Sequence, residues 1–372
     1  MVEEIITALS RIRWLFVIAR NSTFTYKGRA VDVKQVSREL GVRYVLEGSV
    51  RKAGGQVRIT AQLIDALAGT HLWADRFDGA LDDIFELQDQ VASGVVGATE
   101  PKLRQSEIER TSRKPTESLV AYDLFLRALA LRDTRTDESV REAIALLKRA
   151  LAIDPNYVPA KAAIGWSRVH QRSHGRSPIS EAEVAEAVAL AREALEAGKD
   201  DPDALWMAAF TLFYFAGDLA VAATAVDRAL ALNPNSAHAW MVRGYVSLPH
   251  PDAAIEAFER AMRLNPFDRF ERGFIGGIAV AHLRAGRYEQ ALDWSLRALS
   301  EEPTYPTALR TKAIACAHLD RIEDAREAVR QLLGLQPWNT VARTQQFYGR
   351  LFGSQGAAIY VDGLRRAGMP EE

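Results

Sequence analysis

The 372-residue sequence predicts a small α+β domain followed by an all-α superhelical solenoid, a chain that is mostly helical overall. Two observations carry this reading. In the last two-thirds of the chain an acidic or amide residue followed by proline recurs six times, at Asp154-Pro155, Asp201-Pro202, Asn233-Pro234, Asn265-Pro266, Glu302-Pro303 and Gln336-Pro337, with successive prolines spaced by 47, 32, 32, 37 and 34 positions. Self-similarity at such a period is the signature of stacked repeats, each one a supersecondary unit that buries its apolar face only against a neighbour. Towards the amino terminus the periodicity changes. Val57, Ile59, Ala61 and Leu63 alternate with Arg58, Thr60 and Gln62, the pattern of a strand with one wet side.

In chain order, residues 1–100 read as αβαβββα, an α+β arrangement. A helix over about Val2 to Ser10 is followed by an apolar strand, Trp14 to Ala19, and a helix over about Val31 to Leu40. Tyr44 to Val50 and Val57 to Leu63 form a hairpin across Lys52-Ala53-Gly54-Gly55, and a third strand, His71 to Arg76, follows the Ala68-Gly69 turn. Asp82, Asp83, Glu86 and Asp89 head the next helix, where the helix dipole favours acids; a cation site is the alternative. Arg20-Asn21-Ser22 fits a turn or an anion contact. Residues 101–117 read as a charged connector.

Residues 118–339 hold about six helix pairs. Aligning on the prolines exposes a triplet at offsets 0, 4 and 7 that shares one helical face: Ala143/Leu147/Ala150, Ala187/Ala191/Ala194, Ala222/Val226/Ala229, Ala254/Phe258/Ala261, Ala291/Ser295/Ala298 and Ala325/Val329/Leu332. Small side chains there let the second helix of each pair approach its neighbours, where Leu or Phe would overpack. Gly165, Ala209, Gly244, Ala279 and Ala313 mark the expected closest approach of first helix to second. Each proline ends a second helix, because it lacks a donor and disfavours helix at the preceding residue. Gly217-Asp218 and Gly286-Arg287 make short turns inside pairs, and residues 172–180 lengthen another. Residues 340–372 are expected to cap the array with two helices, since a terminal repeat lacks a neighbour.

Composition bounds the function. Hydrophobic residues make up 48% and charged residues 26%, and no run of 18 apolar residues occurs, so a membrane protein is not indicated and the cytoplasm is the default location. The net charge of −1, with only a dilute excess of 12 Lys/Arg over 8 Asp/Glu in residues 1–80, gives no reason to expect direct nucleic-acid binding. The single cysteine, Cys316, excludes an intramolecular disulfide and sits in an apolar helix face. No phosphate loop, dinucleotide glycine motif, HExxH or GxSxG is present, so no catalytic residue and no cofactor is expected. His170 and His174 are spaced i, i+4 but lack a nearby third ligand, and no metal is expected.

The Gly/Ala, Ala, Phe, Ala and Pro positions of the repeats resemble the tetratricopeptide signature, although Phe258 is the one aromatic in a triplet centre and several first helices lack Trp or Tyr. The segments Ile18 to Phe24, Glu39 to Val50 and His71-Leu72-Trp73-Ala74-Asp75-Arg76-Phe77 resemble the TolB-like amino-terminal domain that precedes tetratricopeptide repeats in bacterial class III adenylate/guanylate cyclases and follows winged-helix domains in some transcriptional regulators. In one respect the chain departs from that family. Its members carry a further hydrophobic strand just before the helix that opens this chain. The resemblance therefore implies a sheet short of one strand, with an exposed edge near Trp14 to Ala19 open to self-association.

In such arrays the groove-facing positions, counted from the small residue of each first helix, fall on Trp166, Phe210, Phe213, Tyr214, Met241 and Tyr245. They serve either as packing between repeats or as aromatic anchors for a partner. The resulting expectation is a non-catalytic interaction and regulatory scaffold with a protein or peptide in the groove. The alternative is the regulatory part of an adenylate/guanylate cyclase or of a winged-helix regulator.

Overall fold

The computed structural model describes residues 2–9, 12, 15, 17, 18, 23, 26, 28, 31–80, 83–112, 121–134, 136–175, 178–264 and 271–372, and the chain divides into two compact units. In the first, α1 (Val2–Leu9) and α2 (Val33–Leu40) precede three antiparallel strands, β1 (Tyr44–Ala53), β2 (Gln56–Asp65) and β3 (Thr70–Ala80), paired in the order β1-β2-β3. Gly54 and Gly55 join β1 to β2 with φ of 56° and 77°, the doubly left-handed geometry that a two-residue hairpin turn needs. Val57, Ile59, Ala61 and Leu63 are buried, as their alternation predicts, and share a core with Ile5, Leu9, Trp73 and the Val91/Val95 face of α3 (Ile84–Ser112). Asp65 ends β2. Burial alone would raise its pKa, but the Arg43 guanidinium at 2.8 Å and the N–H groups of Leu67 and Ala68 hold the carboxyl below its ordinary value.

One expectation fails here. Of the anticipated strand Trp14 to Ala19, the described residues Leu15, Val17 and Ile18 belong to no strand, and the Leu15 N–H donates to Ile12 O in a turn. A short apolar run buries itself equally well without a ladder, and Leu15 and Val17 pack on the core. The charged stretch expected to connect the two parts is helical as far as Ser112, where α3 ends, because Lys, Arg, Gln and Glu are strong helix formers. Arg20-Asn21-Ser22, Asp82 and residues 113–117 lie outside the described residues. Asp83 sits in the turn before α3 and Glu86 in its first turn.

The second unit holds, among its described residues, six helix pairs: α4 (Ala121–Thr134) with α5 (Asp137–Ile153), α6 (Val158–His174) with α7 (Glu181–Ala197), α8 (Pro202–Thr211) with α9 (Leu219–Leu232), α10 (Ala237–Val246) with α11 (Pro251–Leu264), α12 (Glu271–Arg284) with α13 (Tyr288–Glu301), and α14 (Pro306–His318) with α15 (Ile322–Leu335). All eighteen triplet residues are at most 3% exposed, so the 0/4/7 pattern is the seam along which the pairs stack. Cys316 is buried on α14. Asp201 caps α8 by accepting from Asp203 N and Ala204 N, with Pro202 in the first turn. Gly217 and Gly286 turn the chain with φ of 71° and 70°.

The small first-helix residues serve two different approaches. A Cβ at Gly244 would meet Phe258 Cε1 of its own second helix at 2.7 Å, as anticipated, whereas one at Gly165 would meet Thr211 Oγ1 of the next first helix at 2.6 Å. Spacing alone does not distinguish the two neighbours of a packed helix face.

After the pairs comes α16 (Val341–Arg366), broken at Gly353, whose φ of 72° and ψ of 172° are not helical. Its second half packs on α14, where a Cβ at Gly363 would strike Ile314 Cγ2 at 2.5 Å. The chain end folds back, with Val341 N donating to Pro370 O at 2.8 Å.

Candidate functional site

The first helix of every pair faces inward. Side chains from α4, α6, α8, α10, α12 and α14, from their flanking turns and from α16 enclose a cavity of about 130 Å³; none of its lining comes from a second helix. That volume is near the size of cavities that admit a benzene ring. Trp166, Phe210, Phe213, Tyr214, Met241 and Tyr245 all line it. Trp166, Phe213 and Met241 are buried, while Phe210, Tyr214 and Tyr245 are half-buried.

The local backbone explains how the aromatics converge. After α8 the helix widens into a π segment, Leu212–Ala216, that carries Phe213 and Tyr214. Phe210 then lies 5.3 Å from the Tyr245 ring and 6.3 Å from Phe213. The Tyr245 hydroxyl donates to Gly273 O at 3.0 Å, tying α10 to α12, and its ring meets Phe258 edge-on at 5.0 Å. Burial raises the Tyr245 pKa and pushes Tyr214 up to about 12, so both phenols stay neutral near pH 7. Trp166 stands edge-on to Trp206 at 4.6 Å, and the Arg132 guanidinium lies 3.0 Å from its ring centre. Packing between repeats and lining the cavity are thus the same side chains' two faces.

His170 and His174 do not form a chelating pair. Their rings stack at 4.4 Å and 11°, and His174 stacks in turn on Tyr305 at 5.2 Å. Burial holds His174 down at about 4 and His170 well below its ordinary value. Among the described residues no group of three His, Cys, Asp or Glu is placed to hold a metal. Because the folded state disfavours the charged imidazole, the unfolded chain binds more protons below pH 6.5. Stability is complete above that value and falls towards pH 4, by about 3 kcal/mol at pH 4 for His174. Urea unfolding at pH 7 and pH 4.5 checks this: His174→Gln is expected to lose less stability on acidification than the parent chain, and an equal loss would exclude the imidazole as its source.

A helix from beyond the repeats also enters the site. Phe347, Tyr348, Leu351 and Phe352, on the first half of α16, line the cavity. Phe347 lies 4.9 Å from Tyr214, Tyr348 stacks on Tyr360, and Arg350 donates to Tyr214 O at 3.3 Å. On the other side Gln336 donates to Gly175 O at 3.0 Å. The sequence marks these four residues as one apolar helix face, but it gives no register for a helix that returns into the array. The segment read as a cap therefore proves to have two roles, its first half inside and its second half against α14.

Comparison with known proteins agrees with the repeat geometry. Residues 207–269, 247–306 and 277–339 each match a family profile described as Tetratricopeptide repeat. A protein of Rhizobium meliloti (strain 1021) named "Putative adenylate cyclase 3" is 42% identical over 213 residues, covering 56% of this chain and 36% of that protein. The match thus spans little more than a third of the curated relative's length. Among solved structures, the human IFIT1 dimer with m7Gppp-AAAA aligns with a TM-score of 0.51 at 14% identity, over 72% of this chain and 65% of that one. The APC/C hetero-tetramer Cut9-Hcn1 aligns with a TM-score of 0.48 at 15% identity, over 77% and 49%. Likeness at these identities concerns the fold alone. No helix among the described residues is long and apolar enough to cross a membrane.

Proposed function

We propose that this chain is a non-catalytic interaction and regulatory module whose tetratricopeptide repeats hold a partner segment on their inner face, with one apolar anchor side chain in the cavity. The observation that carries the reading is the convergence of six first helices on a single aromatic cavity of about 130 Å³. A cavity of that size takes one aromatic or branched side chain, and buried anchors of this kind dominate interface energetics. The first half of α16 forms one wall, so the partner binds beside it.

Selection of peptides from a random library on the purified protein tests this. The selected sequences are expected to share one aromatic or branched apolar position whose replacement by alanine weakens binding at least tenfold. Selected sequences with no common apolar position would overturn the reading.

A second reading is favoured by the Rhizobium relative, 42% identical over 213 residues: the module regulates an adenylate-cyclase-type signalling protein. The resemblance of residues 18–77 to a TolB-like domain points the same way. In this reading the first unit is the TolB-like part, and the self-association edge expected near Trp14 to Ala19 falls away with the strand that does not form among the described residues there. Both readings make the inner face the input surface.

A further inference from the structure

The charge of the repeat unit is sorted by face. The six first helices carry ten Lys or Arg against four Asp or Glu, whereas the six second helices carry ten against eighteen. Part of this excess is paired across helices, Lys161 with Glu193, Arg168 with Glu183 and Arg243 with Asp227. The excess is concentrated where α16 enters. Arg172 ends α6, Arg310 lies on α14, and Arg343 and Arg350 lie on α16.

Contacts position three of these side chains, and Arg343 stands on the first turn of α16. The turn after α15 runs between two of them: the Arg172 guanidinium lies 4.4 Å from the Trp338 ring, and Arg310 donates to Asn339 Oδ1 at 3.3 Å. Asn339 is held by Gln336, which reaches back to Gly175 O. Thr340 caps the turn that carries Arg343, and Arg350 leans on Phe347 at 5.8 Å. Arg310 also lines the cavity itself. Among the described residues none of the four forms an ion pair, although exposed arginines such as Arg326 and Arg330 on α15 do. α6 and α14 hold no carboxylate, and Asp362 is the single one on α16. Desolvation, together with the positive charges of Arg343, Arg310 and Arg350, lowers the Arg172 pKa, so the cluster is under electrostatic tension.

A carboxylate supplies two oxygens and one charge, enough for one guanidinium fork. Four forks call for three or more acceptor oxygens and about two charges, the description of a phosphate group. We propose that Arg172, Arg310, Arg343 and Arg350 form a subsite for a phosphate-type dianion at the rim of the aromatic cavity. The group arrives either on a phosphorylated side chain of a bound segment or on a free phosphorylated small molecule. The subsite deepens the reading of the inner face as the binding surface, yet its test needs no selected peptide.

Titration calorimetry and thermal unfolding of the full chain, with ionic strength held constant by sodium chloride, provide that test. Inorganic phosphate at pH 7.5 is expected to raise Tm and to bind in roughly the millimolar range. Phenyl phosphate should bind about tenfold more tightly, because its ring reaches the cavity. A phosphoserine peptide that exceeds phenyl phosphate identifies the source as a protein segment, and one that binds more weakly identifies a small molecule; both outcomes support the subsite. Arg343→Gln with Arg350→Gln should weaken every phosphate ligand at least tenfold, and Arg326→Gln on the outer face should change none. If the double variant fails to fold by circular dichroism, Arg343→Gln alone, an exposed side chain, carries the comparison. Lowering the pH to 5.5 should weaken phenyl phosphate, which becomes largely a monoanion, but not sulfate. Over that range the neighbouring titratable groups, His170, His174 and Tyr214, keep their neutral forms. Phosphate that stabilises no better than chloride at equal ionic strength, or equally in the double variant, would overturn the subsite while leaving the peptide reading standing.

Discussion

Replacing Phe258 by alanine is expected to lower the unfolding free energy of the repeat unit by about 4 kcal/mol, a large share of the stability of a domain of this kind. Phe258 is fully buried on α11 and is the one aromatic at the centre of a triplet. Two glycines were shaped around its ring: a Cβ at Gly244 would meet Cε1 at 2.7 Å and one at Gly277 would meet it at 2.5 Å. α10 and α12 are therefore held at the distance set by an aromatic ring with no side chain on either flank. Removing the ring leaves a slot between two helix backbones. Those backbones are fixed by their other seams and collapse little, so the cavity term adds to the lost transfer energy. Tyr245, which stands edge-on to Phe258, loses a wall at the same time. Urea denaturation followed by circular dichroism measures the change, and a loss below about 1 kcal/mol would mean that the two glycines do not grip the ring.

Filling the cavity is expected to abolish partner binding without unfolding the protein. Gly273 lines the cavity near the start of α12, and a Cβ added there would touch only Met241 Sδ, at 3.4 Å. Its carbonyl, which accepts from the Tyr245 hydroxyl, is unaffected by a side chain. Gly273→Leu therefore puts an isobutyl group into space that the anchor would occupy. In a helix, leucine is also favoured over glycine by about 1 kcal/mol. Library-selected peptides should bind the variant at least 100-fold more weakly, about 2.7 kcal/mol, while its urea midpoint stays level or rises. Undiminished affinity would remove the cavity from the recognition surface.

How much of this was legible in the sequence depends on what each pattern encodes. The 0/4/7 triplets state which face of a helix is crowded, and all eighteen residues are buried. The Gly54-Gly55 hairpin and the alternation on β2 are likewise local chemistry. Trp166, Phe210, Phe213, Tyr214, Met241 and Tyr245 follow from repeat phase, and they do share one cavity. What the sequence does not encode locally is long-range placement. The π turn at Leu212–Ala216 has no distinct residue signature. The entry of Phe347 and Tyr348 depends on the curvature summed over several repeats, and the gathering of Arg172 with Arg343 joins positions far apart in the chain. The Trp14 to Ala19 segment has the apolar run of a strand, but such a run reports burial, not backbone pairing.

The inner face as the binding surface is tested most directly by amide hydrogen exchange with and without a library-selected peptide. The account predicts slowed exchange in residues 207–216, 237–246 and 341–352, which surround the cavity, and unchanged exchange in the outer helices at residues 219–232 and 322–335. Protection confined to those outer helices, or to the strands at residues 44–80, would contradict it.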